Sequence, residues 1–211
     1  MSNDETHQLL TINTNKKAER RKLMSKEIDS LWNYFLVLDD DMNNTSRYVD
    51  PIGNENVWSF EFLKVLLLSC TESESIFKLM CRKIDSSSSC GNIGDYKRII
   101  LGAFPKIVNA TVTVKRLERE IKPFEGWDVG PLQWWDAYQL VKHNRDGNFQ
   151  KATYMNAITA LSDLYILILY LSKIDGEQIE SSDVKCINSP YMIRYLVCEP
   201  NKNLPGFEVT P

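Results

Sequence analysis

The sequence predicts an all-α fold, an up-and-down bundle of four to five helices with a small β-hairpin excursion. Apolar residues recur at helical spacing over several long segments, which is typical of helices with one buried face. One of these segments, residues 157–171, is apolar nearly throughout but shorter than a membrane span, so it suits the centre of a bundle. Residues 110–123 instead alternate between apolar and polar side chains, as a strand does.

Composition and charge restrict the class of protein. The chain has 211 residues, with 25 Lys and Arg against 28 Asp and Glu, which gives a net charge of −3. This length suits one domain with a full core, and the near-neutral charge excludes a strongly basic nucleic-acid wrapper while leaving a local basic site open. The five cysteines include no C-x-x-C pair, and the amino-terminal residues contain no apolar signal core. We therefore expect a cytoplasmic protein with reduced thiols, no membrane span and no cofactor.

The predicted organisation has three parts. Residues 1–15 form a flexible arm, residues 16–186 form the helical bundle, and residues 187–211, which contain four prolines, form an extended tail. A short helix begins at Asp95 and is interrupted by Pro105. The long helices are predicted over residues 16–42, 59–84, 132–143 and 149–173.

Local signals support the bounds of the first two helices. In the first, Ile28, Trp32 and Phe35 lie on one stripe, and the acidic run at residues 39–41 ends the helix. We interpret that run as a solvated helix end rather than a metal site, because it lacks a glycine turn and further oxygen ligands at regular spacing. Ser59 is a typical N-cap for the second helix.

The residues with the clearest chemical potential surround His143, at the end of the third long helix. Apart from His7 in the arm it is the chain's only histidine, and an imidazole can exchange protons near neutral pH. Lys142 and Arg145 are three positions apart, so both can face one ligand and hold a phosphodiester. The alternative interpretation is a basic helix end, because the helix dipole favours cations there.

The segment WWDAYQLVKHNRDGNFQKATYMNAITALSDLYILILYL resembles the carboxyl-terminal helical pair of HEPN proteins (higher eukaryotes and prokaryotes nucleotide-binding), in particular bacterial and phage-borne members. The earlier segment WSFEFLKVLLLSCTESESIFKLMC is similar to the second helix of that family. The matching pieces cover residues 58–83 and 127–171. The resemblance implies an all-α bundle that dimerises through the motif-bearing helices. It also implies a metal-independent endoribonuclease in phage defence, toxin–antitoxin or RNA-processing systems.

The resemblance further implies a role for each residue around the motif. His143 would transfer protons, while Lys142 and Arg145 would bind and neutralise the scissile phosphate, without a metal ion. The side chains expected to orient this site are Tyr138, Glu74 and Asn144.

The family motif is an arginine, four to six other residues and then a histidine, and this sequence departs from it. Gln139 stands four residues before His143, and no arginine occurs between Arg119 and His143. Two other functions therefore stay open. One is a non-catalytic nucleotide-binding, RNA-binding or protein-interaction module on the same fold, and the other is a structural helical adaptor.

Stoichiometry favours a homodimer. Metal-independent cleavage of RNA by its own 2′-hydroxyl needs a base and an acid on one phosphate, whereas one chain supplies one credible histidine. Two-fold symmetry, the commonest in oligomers, would bring two copies of His143 to one cleft. We therefore expect a homodimer that binds RNA or a nucleotide, with an antitoxin as a further protein partner. In a monomer the second group would come from Tyr138, Glu72 or Glu74.

The roles of three acidic residues stay open between a functional and a purely structural interpretation. Glu72 and Glu74 are two positions apart and point to different sides of their helix, so one orients His143 or both are solvated. Asp163 lies in the most apolar helix, and a buried carboxylate needs a partner. That partner would be Lys142, Arg145 or a water molecule, unless Asp163 lies on an exposed face of the helix.

Aromatic and basic clusters outside the motif are also compatible with RNA. Trp127, Trp134 and Trp135 could stack on bases, although core packing is the usual role of such residues. The basic residues within 16–22 could contact phosphates, or could simply begin the first helix.

Overall fold

The computed structural model describes residues 26–177, 179 and 184–188; the predicted arm, the basic residues within 16–22 and residues 189–211 of the predicted tail lie outside it. The described part is a helical bundle with a small antiparallel sheet in the strand order β2–β1–β3, which confirms the predicted fold class. The helices are α1 (Lys26–Thr45), α2 (Phe60–Ile84), α3 (Ile93–Ala103), α4 (Gln133–His143), α5 (Arg145–Asn148) and α6 (Tyr154–Ile174). The strands are β1 (Val112–Val114), β2 (Arg119–Ile121) and β3 (Ile187–Asn188).

The central helix of the bundle is α6. Its residues are buried almost without interruption from Ala157 to Ser172, and a helix that is apolar all round is stable only when other elements enclose it. From α1, the rings of Trp32 and Phe35 lie 5.9 and 5.4 Å from the ring of Tyr165. In the part of the chain that the structure describes, α6 is the one helix long and apolar enough to cross a membrane, but 83% of its most apolar window is buried inside the bundle.

Local signals mark the predicted start of α2 and the predicted breaks after α3 and α4, whereas α1 continues through the acidic run to Thr45. The Ser59 side chain accepts the Phe62 N–H at 3.1 Å, which confirms the predicted cap of α2. After Ala103 the chain turns into a 3₁₀ helix that begins at Pro105, because proline cannot continue an α-helix. The helix breaks at Asn144 as predicted, but residues 145–148 form the short helix α5 and α6 begins at Tyr154 rather than at residue 149.

The predicted β excursion is confirmed as a hairpin of β1 and β2. Val112 pairs with Ile121 and Val114 pairs with Arg119, and both valines are fully buried, as the alternating pattern predicts. The third strand was predicted only as part of an extended tail. In β3, Ile187 pairs with Val114 on the other edge of β1, so the chain beyond α6 returns to the sheet.

Asp39 in α1 attaches this returning segment to the bundle. Its buried carboxylate accepts the backbone N–H groups of Lys185 and of Cys186, the latter at 2.9 Å. Burial raises the pKa of the Asp39 carboxyl, and the hydrogen bonds from these two amides oppose that rise. The expectation of a solvated acidic run is therefore wrong for Asp39. It could not be read from the sequence, because the two amides lie more than 140 residues further along the chain.

Replacing Asp39 by alanine is expected to detach the segment around β3. The buried N–H group of Cys186 and the partly buried N–H group of Lys185 would lose their acceptor, at a cost of about 2 kcal/mol in the free energy of unfolding. The measurement is hydrogen–deuterium exchange at the amides of Lys185 and Cys186, which should become faster. The control is Asp40→Ala, which removes exposed contacts, chiefly the ion pair between Asp40 and Lys185, and should change little. Unchanged exchange in Asp39→Ala would contradict the assignment.

Candidate functional site

The motif-bearing helix α4 lies along α2 in the opposite direction. Near the beginning of α4, the Trp135 ring lies 6.0 Å from the ring of Phe77, late in α2. Near its end, Val141 packs in a small buried cluster with Leu63, from the first turn of α2. This arrangement places the carboxyl end of α4 beside the amino end of α2 and sets Glu74 opposite the middle of α4.

Three of the predicted site residues come together between these helices. The Lys142 ammonium group donates a hydrogen bond to the Tyr138 hydroxyl at 2.9 Å and lies 3.7 Å from the Glu74 carboxylate. Tyr138 and Lys142 are one turn apart on α4, so their side chains share a face. Glu74 also accepts a hydrogen bond from Lys78 at 2.8 Å. The i, i+4 spacing of Glu74 and Lys78 was the available signal for this pair in the sequence.

These contacts determine the charges in the cluster. The hydrogen bond to Tyr138 raises the pKa of the Lys142 ammonium group, and the Glu74 charge adds to the effect. The hydrogen bond from Lys78 lowers the pKa of the Glu74 carboxyl, with support from the charges of Lys78 and Lys142. Lys142 is therefore held as a cation near neutral pH. It can neutralise an anion but cannot act as a base.

His143 lies on a different side of α4 from this cluster. Adjacent helical residues are about 100° apart, so the imidazole points away from the face that Lys142 shares with Tyr138. His143 is exposed, and its side chain makes no hydrogen bond or ion pair with another described residue. Glu74 and Tyr138 therefore support Lys142 in the single chain, rather than orienting His143.

Exposed basic residues stand close to His143 in sequence, at and just after the end of α4. We call Lys142, His143, Arg145 and Lys151 the basic corner; all four are exposed. Arg145 begins α5, and its side chain, 62% exposed, lies 3.5 Å from the carboxylate of its neighbour Asp146.

Asn144 fixes the turn that follows α4. Its side-chain oxygen accepts the Gly147 N–H at 3.2 Å, and its carbonyl accepts the Asn148 side chain at 2.9 Å. The predicted supporting role of Asn144 is thus local, since it fixes the turn that carries Arg145 and does not contact His143.

The structure places the tryptophans near the motif in the core and Glu72 beside α1. Trp127, Trp134 and Trp135 are between 1% and 5% exposed, so they form core and cannot stack on bases. Glu72 lies near Tyr34 of α1, where its charge helps to raise the pKa of that phenol after burial itself.

Asp163 is fully buried and pairs with neither Lys142 nor Arg145. Lys142 binds Tyr138 and Glu74, and Arg145 extends toward Asp146 at the surface. Asp163 instead faces Ser73 of α2, and burial raises the pKa of its carboxyl well above the usual range, with the Ser73 hydroxyl opposing that rise. Asp163 and Arg145 do not meet because they lie in different parts of the bundle. Asp163 is in the middle of the enclosed helix α6, whereas Arg145 is on the solvent-exposed surface after α4.

Neither a protein-family model, nor a curated protein, nor a solved structure matches the chain. Among residues 26–177, 179 and 184–188, no three His, Cys, Asp or Glu side chains are grouped so that they could hold a metal ion.

Proposed function

We propose that the protein is a HEPN-like, metal-independent endoribonuclease whose site forms where two copies of the basic corner meet in a homodimer. The observation that carries the proposal is the exposed His143 at the end of α4, with Lys142 and Arg145 on either side of it in sequence. The resemblance to HEPN proteins supports a role in phage defence or a toxin–antitoxin system in the cytoplasm, with an antitoxin as protein partner.

The chemistry assigns a separate task to each group. A 2′-hydroxyl attacks the adjacent phosphorus after one imidazole takes its proton, and a second imidazole gives a proton to the departing 5′-oxygen. Lys142 and Arg145 supply positive charge to the phosphate as its negative charge develops. Because one chain offers only one exposed imidazole in its described part, the second comes from the partner copy.

Cleavage of a mixed RNA pool by the whole protein in EDTA tests the proposal. We expect cleavage that leaves 2′,3′-cyclic phosphate and 5′-hydroxyl ends, at a rate that falls when the protein is diluted below its dimerisation range. Cleavage that needs added metal, or products with 5′-phosphates, would overturn it. A stable protein that leaves the RNA intact would overturn the catalytic role and favour the second candidate function.

That second candidate is a non-catalytic RNA-binding or nucleotide-binding module. Two observations favour it: no arginine stands at the motif spacing before His143, and Lys142 is already neutralised in part by Glu74. Under this alternative the basic corner would bind phosphates without breaking them.

Binding of RNA at the basic corner is expected to depend on salt. Lys142→Gln and Arg145→Gln should each weaken binding and reduce the slope of log affinity against log salt by about 0.7, the value for one phosphate contact on a single strand. The measurement is fluorescence anisotropy of a labelled RNA across a salt series. Lys122→Gln, which removes an exposed lysine at the hairpin, is the matched control and should leave the slope unchanged. Equal slopes in all four proteins would exclude the basic corner as the binding site.

A further inference from the structure

Three aromatic side chains lie together on the surface at the amino end of α2. The Phe149 ring lies 4.9 Å from the ring of Trp58 and 4.6 Å from the ring of Phe60. Trp58 is 50% exposed and Phe60 is 69% exposed, whereas Phe149 is half-buried between them. We call these three residues the aromatic platform.

Packing inside the bundle does not account for this exposure. The other four tryptophans of the chain are at most 5% exposed, so Trp58 is the only one whose ring faces solvent. Phe60 is the first residue of α2, a position where a polar side chain would serve the helix equally well. Exposed apolar groups that cluster in this way usually mark a binding surface.

The platform has a fixed base. Phe149 packs on the small buried cluster that contains Leu63, Val141 and Ala152. The backbone of Trp58 pairs with Thr153, and the Val57 carbonyl accepts the Tyr154 N–H at 3.0 Å. A ligand that stacks on Trp58 and Phe60 would therefore meet rings whose backbone is already ordered, which lowers the entropic cost of binding.

The aromatic platform and the basic corner are contiguous. Phe149 directly follows the last residue of α5, the helix that begins with Arg145, and Val141 beneath the platform precedes Lys142. The loop of residues 53–58, which includes Trp58, lines a surface pocket of about 510 Å³. One extended ligand could thus contact cations at one end and aromatic rings at the other.

From this arrangement we infer that the aromatic platform binds the unpaired bases of single-stranded RNA while the basic corner binds the adjoining phosphates. The inference rests on the proposed function and names its substrate class. Aromatic faces stack on any base, but only when the base is not already paired within a duplex. The positive charge of the basic corner favours RNA over an apolar protein segment. The acidic side chains that flank Trp58 in sequence do not oppose this charge, because Glu55 is ion-paired with Arg119 and Glu61 with Lys64.

Tryptophan fluorescence gives a direct readout, because Trp58 is the one tryptophan that a ligand can reach. The whole protein is titrated with a single-stranded RNA of about 12 nucleotides, within the usual range of single-strand sites. The same RNA in duplex form and an abasic oligomer of equal charge serve as controls. We expect the single strand to quench the fluorescence, and the duplex and the abasic oligomer to leave it nearly unchanged. Equal quenching by the abasic oligomer would overturn the inference.

Substitutions then locate the contact. Phe60→Leu and Trp58→Leu keep an apolar side chain but remove the ring, and each should weaken binding of a labelled single strand about tenfold, with the salt slope unchanged. Phe60→Tyr keeps the ring and should retain the affinity of the natural protein. Tyr48→Leu removes an aromatic ring that is 86% exposed outside the platform, and should have no effect.

The outcomes separate this inference from the proposed function. If Lys142→Gln and Arg145→Gln weaken RNA binding but the platform substitutions do not, the inference fails while the proposed function stands. If the natural protein binds no RNA at all, the proposed function fails and takes the inference with it. If the platform substitutions dissociate a dimer without lowering RNA affinity per chain, the platform is an interface between copies and the inference is overturned.

Discussion

Replacing His143 by alanine is expected to lower the rate of RNA cleavage by a factor of about 100 to 10,000, the usual contribution of a positioned proton-transfer group. The expectation follows from the proposed function, in which His143 is the only imidazole that the described part of each chain exposes at the site. Because the side chain is solvent-facing and has no described partner, its removal should leave the fold intact. Single-turnover cleavage in EDTA at saturating RNA is the measurement.

The control for this loss is Gln133→Ala, an exposed substitution at the opposite end of the same helix. Both variants should show the circular dichroism spectrum and melting temperature of the natural protein. A His143→Ala protein that is folded and cleaves at the natural rate would remove His143 from the mechanism.

Mixing subunits tests whether the site is shared between two copies. An excess of His143→Ala protein should suppress the activity of the natural protein, because each mixed dimer holds one imidazole where two are needed. Activity that simply tracks the amount of natural chain would show that each subunit cleaves alone, and would contradict the shared site.

The second large effect concerns stability. We expect the natural protein to lose stability steeply as pH rises, and we expect Asp163→Asn to remove that loss. Burial raises the pKa of the Asp163 carboxyl well above the usual range. Above about pH 4, Asp163 is deprotonated in the unfolded chain but still protonated in the folded chain. The equilibrium constant for folding therefore falls about tenfold for each pH unit, until the pH reaches the pKa of Asp163 in the folded protein.

Asparagine has nearly the volume of aspartate but does not ionise, so the variant should not show this dependence. The measurement is urea unfolding of both proteins at several values between pH 4 and pH 8. The advantage of Asp163→Asn over the natural protein should grow as pH rises. Asp128→Asn alters an exposed carboxylate and should follow the natural profile. A constant difference between Asp163→Asn and the natural protein across this range would contradict a buried neutral Asp163.

The sequence was sufficient for elements whose signals are local. Helical spacing predicted α1, α2, α4 and α6, and the alternation around Val112 predicted the hairpin. The Ser59 cap needed only the residues beside it. Local propensity and burial periodicity act over a few neighbouring residues, so they can be read without knowing the fold.

Features that depend on distant residues could not be read in this way. The acidic run at the end of α1 looks solvated in sequence, yet Asp39 is buried against amides that return after α6. The resemblance to HEPN proteins implied one site for Tyr138, Glu74, Lys142 and His143. Only the packing of α4 on α2 shows that the first three form a cluster that His143 does not join.

By itself the sequence determined an all-α bundle with a hairpin, the core role of α6, and a basic motif at the end of α4. The tertiary structure alone decided which polar groups meet. It set Glu74 against Lys142, left Asp163 in an apolar interior, and brought Phe149 against Trp58 and Phe60 beside the basic corner. The physical reason is that the periodicity of buried residues is a property of one helix and can be read from its sequence. The contacts of a polar or aromatic side chain depend instead on how separate helices pack together.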